Sequence, residues 1–330
     1  MSVKFYMPHK KGFFSGREMK IGELLRLLPN LEEFSLDEEE VDAEAFLEKC
    51  LSDYTCILLG EYERSARGFE LSYEKNEKGE ACYCVRVFTP SSIEDWKLAL
   101  EYIKVLSKKL NVSIRSEHGD VFTSETIEAF SYRDDIFFGI QTMLSLHEEE
   151  WDGEEEDKSR ILFGVIRPVS FNQKYSEEIL TAKDPVLAFS EFMTKLQYLN
   201  AYSARQRFYK AANENGEGEI IGVYVLTEGV DTILPYKPEV EFKNIHFIDP
   251  KQVKSWRMNF IRIKGDPDDP NSYENMAVMD YEDFIRRLPC TRYHFIDGAY
   301  ILVEGLDQEE MREISGQTEE GEEGKNGSIG

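Results

Sequence analysis

The chain has 330 residues, of which 41% are hydrophobic, 12% aromatic and 31% charged, and its formal net charge at pH 7 is −25. This apolar content is enough for folded cores, and the length is that of about two domains of roughly 150 residues. The composition excludes a collagen, a coiled coil, a disulfide-rich scaffold and a disordered chain. It does not identify a reaction.

The negative charge is concentrated in three segments. Residues 32–48 carry nine acids and no base, residues 148–157 carry eight acids and no base, and residues 307–323 carry eight acids and one base. Blocks of like charge repel themselves and are typical of solvated linkers and tails, which is the simpler interpretation. The alternative is a docking strip for a basic protein partner, or mimicry of a nucleic-acid backbone.

The sequence also disfavours several partners and compartments. No block of five or more basic residues is present, so we expect no direct nucleic-acid binding. The longest stretch without a charged residue, 136–147, is shorter than the ~18 residues of a membrane span, so we expect no membrane insertion. The N-terminus lacks the apolar core of a signal peptide, and five cysteines are scattered without a framework, which together favour a cytoplasmic location.

In chain order, the first half reads as strands interleaved with helices. Strands are predicted at 3–7, 54–59, 69–73, 83–87 and 112–115, and helices at 21–28, 46–51, 123–130 and 134–146. The clearest element is a helix of about 18 residues that ends near Leu110, preceded by Pro90 and by a capping box at Ser91 and Glu94.

The second half repeats this mixture of elements. An apolar run at 161–166 predicts a central strand buried on both faces. Asp184 followed by Pro185 predicts the start of a helix, and a further helix is predicted at 280–288. Strands are predicted at 205–210, 219–226, 232–234, 256–263, 293–296 and 300–303.

The order of elements predicts an α+β protein with two lobes, each a mostly antiparallel mixed sheet with helices packed on one face. The predicted domains are an N-terminal lobe at 1–147, an acidic linker at 148–158, a C-terminal lobe at 159–314 and a disordered acidic tail at 315–330. A similarity between residues 85–92 and 163–170, each a strand reaching Pro and Ser before a helix, leaves open a duplicated unit.

The sequence contains no catalytic or metal-binding signature. No G-x-S-x-G elbow and no Walker loop is present, and we expect no catalytic residue, cofactor or metal. Cys82 and Cys84 lie two apart in a predicted strand and are interpreted as small buried apolar residues rather than half of a zinc site. His118 lies in a predicted loop, where a surface role is simpler than that of a general base.

Four arginines at strand positions are the remaining candidates for a site. Arg67, Arg86, Arg167 and Arg205 each require a carboxylate, either from this chain or from a ligand. Internal ion pairs are the simpler interpretation because acids are abundant. A pocket for a small anion or contacts with an acidic partner are the alternative.

Long phrases of the sequence resemble a known family. They are SARGFELSY (65–73), VRVFTPSSIEDWKLALEYIKVLSKKL (85–110), FGVIRPVSFN (163–172), LQYLNAYSARQRF (196–208), TILPYKPEVEF (232–242), GDPDDPNSY (265–273) and YHFIDGAYILVE (293–304). Over about 1–314 the chain resembles an uncharacterised bacterial family of Firmicutes, domain of unknown function 4299. The resemblance implies a soluble, cytoplasmic bacterial protein and supplies no reaction, cofactor or catalytic residue.

Two functions from different classes therefore remain. The favoured one is a non-enzymatic accessory or immunity-type protein that docks another protein, because acidic segments lie on a nearly neutral body that shows no catalytic signature. The alternative is an enzyme of unfamiliar type that acts on a small anionic substrate held by the strand arginines. A cleft with two or more of these arginines beside an acid of raised pKa would favour the enzyme. A flat apolar or acidic patch without such a cleft would favour binding.

Overall fold

The computed structural model describes residues 1–9, 17–36, 42–76, 78–144, 160–212 and 218–317. The chain forms two compact units, Met1–Leu199 (unit 1) and Asn200–Gly330 (unit 2). Unit 1 contains an antiparallel sheet of seven strands, and unit 2 contains two sheets of four strands. The α+β class with mostly antiparallel sheets is confirmed.

The large sheet of unit 1 has the strand order β2-β3-β4-β5-β1-β6-β7. Its strands are β1 (Ser2–Pro8), β2 (Leu31–Glu33), β3 (Ile57–Glu61), β4 (Phe69–Lys75), β5 (Ala81–Phe88), β6 (Ile114–Ser116) and β7 (Val121–Phe122). Side chains alternate in β1, where Val3, Phe5 and Met7 are buried. This period of two places one face of the strand against the core.

The described part of unit 1 contains six α-helices. They are α1 (Ile21–Leu25), α2 (Ala43–Leu47), α3 (Ile93–Leu110), α4 (Tyr132–Leu144), α5 (Gln173–Leu180) and α6 (Pro185–Gln197). Helix α3 has the predicted length of 18 residues, and its buried Trp96 packs edge-on against Phe5 of β1. The capping box was predicted one residue too early, because the structure forms it between Ser92 and Asp95.

Residues 160–199 pack within unit 1. The backbone N of Val165 donates to the carbonyl of Ala66, and the hydroxyl of Tyr198 donates to the carbonyl of Ser65 at 2.6 Å. The hydroxyl of Ser190 accepts from the N of Ile93 at the start of α3. The predicted linker, 148–158, lies outside the described residues, but these contacts place the boundary between the compact units at Leu199, later than the sequence suggested.

A two-stranded sheet, β8 (Arg160–Phe163) and β9 (Pro168–Phe171), also belongs to unit 1. The prediction of a central strand at 161–166 is wrong, since β8 is an edge strand with Ile161 and Phe163 about half exposed. The similarity between 85–92 and 163–170 is likewise not a structural repeat. The first segment leads from β5 into α3, whereas the second runs from the end of β8 through a turn into β9.

Unit 2 combines two mixed sheets, ordered β10-β13-β17-β16 and β11-β12-β14-β15. Its strands are β10 (Tyr202–Ser203), β11 (Arg207–Ala212), β12 (Gly218–Thr227), β13 (Thr232–Pro235), β14 (Val253–Ile263), β15 (Tyr273–Asp280), β16 (Tyr293–Phe295) and β17 (Tyr300–Val303). Helices α7 (Tyr281–Arg287) and α8 (Gln308–Ser315) contribute Tyr281, Phe284 and Met311 to its core.

The predicted tail, 315–330, begins at the end of α8. Ser315 is the last residue of this helix, Gly316 closes it in the left-handed conformation, and the Gln317 amide donates to the carbonyl of Met276. Residues 318–330 lie outside the described part of the chain. Among the described helices, none is both long enough and apolar enough to cross a membrane.

Candidate functional site

Arg67, the first of the four predicted arginines, is buried and donates to the protein itself. Its Nε donates to the carbonyl of Phe163 at 2.9 Å, and Nη1 donates to the carbonyl of Pro90. Its guanidinium also lies 4.7 Å from the centre of the Phe88 ring. Burial lowers the pKa of Arg67 to about 10, although the nearby carboxylate of Asp95 opposes this shift. The side chain thus joins three segments of unit 1.

The loop that carries Arg67 wraps around the buried carboxylate of Asp95. Three consecutive backbone N–H groups, of Ala66, Arg67 and Gly68, donate to it over 2.9–3.1 Å. Ser91 and Ser92 supply three further hydrogen bonds. Successive N–H groups that converge in this way form an anion-binding nest. Here the nest already holds a carboxylate of the same chain, so we call residues 65–68, 88–92 and 95 the Asp95 hub.

Gly68 is the residue that allows this loop to close. Its φ is +64°, and a Cβ built on it would lie 2.3 Å from the carbonyl O of Leu59. Only glycine adopts this conformation without steric cost in so little space.

The remaining arginines are distributed differently. Arg86 of β5 lies beside the same Phe88 ring as Arg67, and it pairs with Glu70 of the neighbouring strand at 2.8 Å. Arg167 lies in the turn between β8 and β9, where its backbone N donates to the side chain of Gln197. Arg205 is exposed in the connection between β10 and β11 of unit 2. The structure therefore brings Arg67 and Arg86 together, and the role of the four as ligand contacts stays a prediction.

The other polar candidates lie in ordinary settings. Cys82 and Cys84 are buried in β5, and burial raises the pKa of both thiols. His118 is exposed in the loop between β6 and β7. Within the ranges that the structure describes, no group of three or more His, Cys, Asp or Glu side chains is arranged to hold a metal ion.

Among the carboxyl groups that the structure describes in unit 1, Asp135 of α4 has a strongly altered acidity. The Thr89 hydroxyl donates to both of its oxygens at 3.0–3.1 Å. Burial raises the pKa of Asp135 to about 6, and the hydrogen bond from Thr89 and the nearby His118 oppose this rise only in part. Because Thr89 lies between Phe88 and Pro90, this acid adjoins the Asp95 hub.

An open apolar groove lies elsewhere in unit 1, where α1 and α2 meet the edge strand β2. Its volume is about 630 Å³. Its lining is mainly leucine. The lining residues are Leu25, Leu27, Leu28, Leu31 and Leu47, together with Gly22, Arg26, Pro29 and Asn30. Three of them, Leu25, Leu27 and Leu47, remain partly exposed to water. We call this feature the leucine groove.

Its walls are fixed by short contacts between the two helices. The backbone N of Ile21 donates to the carbonyl of Lys49 at 2.8 Å. Gly22 lies so close to α2 that a Cβ on it would be 3.1 Å from the carbonyl O of Leu47. The hydroxyl of the buried Tyr102 reaches the carbonyl of Leu24 and ties α1 to α3. The groove is thus part of the folded frame rather than a gap between loose segments.

Carboxylates from the first acidic segment adjoin the groove. The described acids of 32–48, which we call the acidic rim, are Glu32, Glu33, Asp42, Glu44 and Glu48. Glu44 lies one helical turn before Leu47 on α2, and Glu48 follows Leu47. Glu32 follows Leu31 in β2, so its side chain points to the opposite face of this edge strand from the groove-lining Leu31.

The five carboxylates of the rim differ in what they already bind. Asp42 caps α2 through the N of Glu44 and of Ala45, and Glu33 accepts from the backbone of Ser35 and Leu36. Glu48 pairs with Lys20, which holds the pKa of Glu48 below its usual value.

The other two carboxylates, of Glu32 and Glu44, are exposed and make no hydrogen bond or ion pair with the residues that the structure describes. They therefore remain available to a partner.

The groove was missed by sequence reasoning, although a signal was present. The spacing of Ile21, Leu24, Leu25 and Leu28 predicts one helix over 21–28 with a single apolar stripe. Helix α1 ends at Leu25, however, and the chain turns before β2. The segment LLRLLPNL contains more leucines than one short helix face can bury, and this excess of apolar residues beside an acidic segment was the available clue.

Comparisons with known proteins identify a family but no reaction. No curated protein and no solved structure matches the chain. The model of one family, described as "Domain of unknown function (DUF4299)", matches residues 2–314. These residues include unit 1 apart from Met1, with its groove and hub, and the described helices and strands of unit 2 up to the next-to-last residue of α8. The chain therefore belongs to the DUF4299 family.

Proposed function

We propose that the protein is a non-catalytic accessory or immunity-type protein of the bacterial cytoplasm that binds a basic segment of another protein in the leucine groove. One observation carries the proposal: an open apolar groove lies beside the exposed, unpaired carboxylate of Glu44, and the equally unpaired Glu32 lies on the edge strand that borders it. Apolar surface of this kind marks interaction sites, and neighbouring charge selects the sign of the partner.

The charge around the groove supports a basic partner. The described residues of the acidic rim carry five carboxylates, of which only Glu48 pairs with a base. The sequence places four more acids, Asp37 and Glu38, Glu39 and Glu40, between β2 and α2. A basic segment would therefore meet attraction on approach and apolar contact once bound.

The alternative, an enzyme for a small anionic substrate, has less support from the geometry. The nest formed by residues 66–68 holds Asp95, and two donors of Arg67 bind backbone carbonyls. Arg86 pairs with Glu70. Asp135, with its raised pKa, is the one feature that an acid–base enzyme would share.

Association kinetics test the proposed function. A partner captured from host lysate would be measured against wild-type protein and the double variant Glu32→Gln, Glu44→Gln. We expect association to be faster at 0.01 M than at 0.15 M salt, because the screening length falls from ~30 Å to ~8 Å. The double variant should lower the association rate constant more than it raises the dissociation rate constant, since exposed charges act mainly on encounter.

A matched control separates local from overall charge. The variant Glu309→Gln, Glu313→Gln changes the net charge by the same amount at exposed positions of α8 in unit 2. It should leave the association rate closer to that of the wild type. Association rates that do not depend on salt, or that fall equally in both double variants, would contradict the proposal.

A further inference from the structure

The groove also constrains the shape of the partner segment. Its lining consists mainly of leucine side chains from α1, the turn after it, β2 and α2. Recognition there must therefore rest on side-chain packing. An extended peptide would instead need a long free strand edge to form backbone hydrogen bonds.

The strand edge available beside the groove is short. Strand β2, at the end of the seven-stranded sheet, has three residues and pairs with β3 on its inner side. Its last residue, Glu33, already folds back to accept from the backbone of Ser35 and Leu36. Such a short edge gives little length for an added strand, whereas an open apolar groove suits an amphipathic helix.

We infer that the leucine groove binds an amphipathic helix that presents apolar side chains at i, i+3 or i+4, and i+7, with Lys or Arg at the border of that face. This inference rests on the proposed function and specifies its partner. The apolar face packs on Leu25, Leu27 and Leu47, the three leucines that water still reaches. The basic border meets Glu44, and Glu32 on the edge strand β2 adds attraction during approach.

Arg26 allows the predicted charge of the bound helix to be tested. It is exposed and lines the groove among the leucines. A basic helix is repelled by this guanidinium, so Arg26→Glu should tighten its binding. An acidic helix would respond in the opposite direction, and an uncharged apolar ligand would respond little.

Two designed peptides provide the direct test, measured by fluorescence anisotropy on the full chain. The first is a helical peptide with leucines on one face and lysines on the other. The second has the same composition with its leucines distributed around the helix. We expect the first to bind at least about tenfold more tightly, because only it can bury several leucines together. Equal affinities would overturn the inference, since charge alone would then explain binding.

Variants of the groove locate the binding site. The change Leu25→Gln with Leu27→Gln should weaken the first peptide about tenfold or more, while Leu187→Gln, at an exposed leucine of α6, should not. Thermal unfolding of each variant shows whether the fold is kept. If the groove variant unfolds, Arg26→Glu decides, and unchanged or weaker binding of the basic peptide to it overturns the inference.

The failures of the inference and of the proposed function are distinguishable. If a captured partner loses association rate in the Glu32 and Glu44 variant while the two peptides bind equally, the helix is wrong and the proposed function stands. If the captured partner is insensitive to these acids, the proposed function fails whatever the peptides do. Displacement of the first peptide by neutral lipid vesicles would also overturn the inference, because the groove would then accept lipid.

Discussion

Unit 1 contains two polar regions that use their charges in opposite ways. In the Asp95 hub, a carboxylate with no exposure to water accepts six hydrogen bonds from its own chain. Around the leucine groove, Glu32 and Glu44 are exposed and bind no described residue, while Leu25, Leu27 and Leu47 of the groove remain partly uncovered. Charge that is fully satisfied inside the protein stabilises the fold, whereas exposed charge beside uncovered apolar surface is available for binding.

The largest expected effect concerns the hub. Asp95→Ala should lower the free energy of unfolding by roughly 3–5 kcal/mol, because several buried donors lose their acceptor together. Ser92→Ala removes the helix-capping hydroxyl but leaves the carboxylate, and it should cost about 1 kcal/mol. Urea denaturation measures both values. A cost below about 1 kcal/mol for Asp95→Ala would show that the hub and the groove do not differ as described.

A smaller effect separates two of the arginines that the sequence singled out together. Arg67→Lys should cost about 2 kcal/mol, since a single ammonium cannot reproduce the guanidinium's donation to Phe163 and Pro90 in a buried site. Arg86→Lys keeps a charge beside Glu70 at a partly exposed pair and should cost under about 0.5 kcal/mol. If denaturant unfolding gives similar costs for the two variants, then the buried hydrogen bonds of Arg67 contribute no more to stability than the partly exposed ion pair of Arg86.

The sequence predicted the elements whose signals are local. The periodic apolar positions of α3 and the Asp184–Pro185 start of α6 depend on neighbours within a few residues, and both are confirmed. Residue Asp95 could not be recognised as a hub, because its partners Ala66, Arg67 and Gly68 lie far away in the sequence. An acid in the first turn of a helix ordinarily suggests only a cap.

Long-range packing also explains why composition alone does not fix the organisation of the chain. The apolar run at 161–166 has the composition of a central strand, but β8 pairs only with β9. The acidic segment at 148–157 has the composition of a domain linker, yet the residues after it return to Ala66, Ile93 and Ser65 of unit 1. Composition shows that a segment is solvated or apolar, and it does not show which earlier residues the chain will meet.

An effect smaller than that of Arg67→Lys is expected at Asp135, a carboxyl that is only partly buried and so lies between the buried hub and the exposed rim. Its pKa is about 6 in the folded protein, against an ordinary value of 3.8. The native state therefore binds the proton more tightly than the unfolded state, and the free energy of unfolding falls as pH rises from about 4 to 6. Above about pH 6 the ionised carboxylate lowers the free energy of unfolding by its full amount. Below about pH 4 the carboxyl is protonated in both states, and this destabilisation is absent.

Asp135→Asn should remove this pH dependence while an amide oxygen still accepts from Thr89. We expect the variant to be more stable than the wild type by about 1 kcal/mol at pH 7.5, since water near the side chain reduces the full electrostatic cost, and to show no advantage at pH 4. Unfolding in urea at both pH values, with Glu44→Gln as a control at an exposed acid, measures the difference. If Asp135→Asn and Glu44→Gln respond to pH alike, then Asp135 behaves as an exposed carboxylate. The contrast between the interior of unit 1 and the surface at the leucine groove would then rest on Asp95 alone.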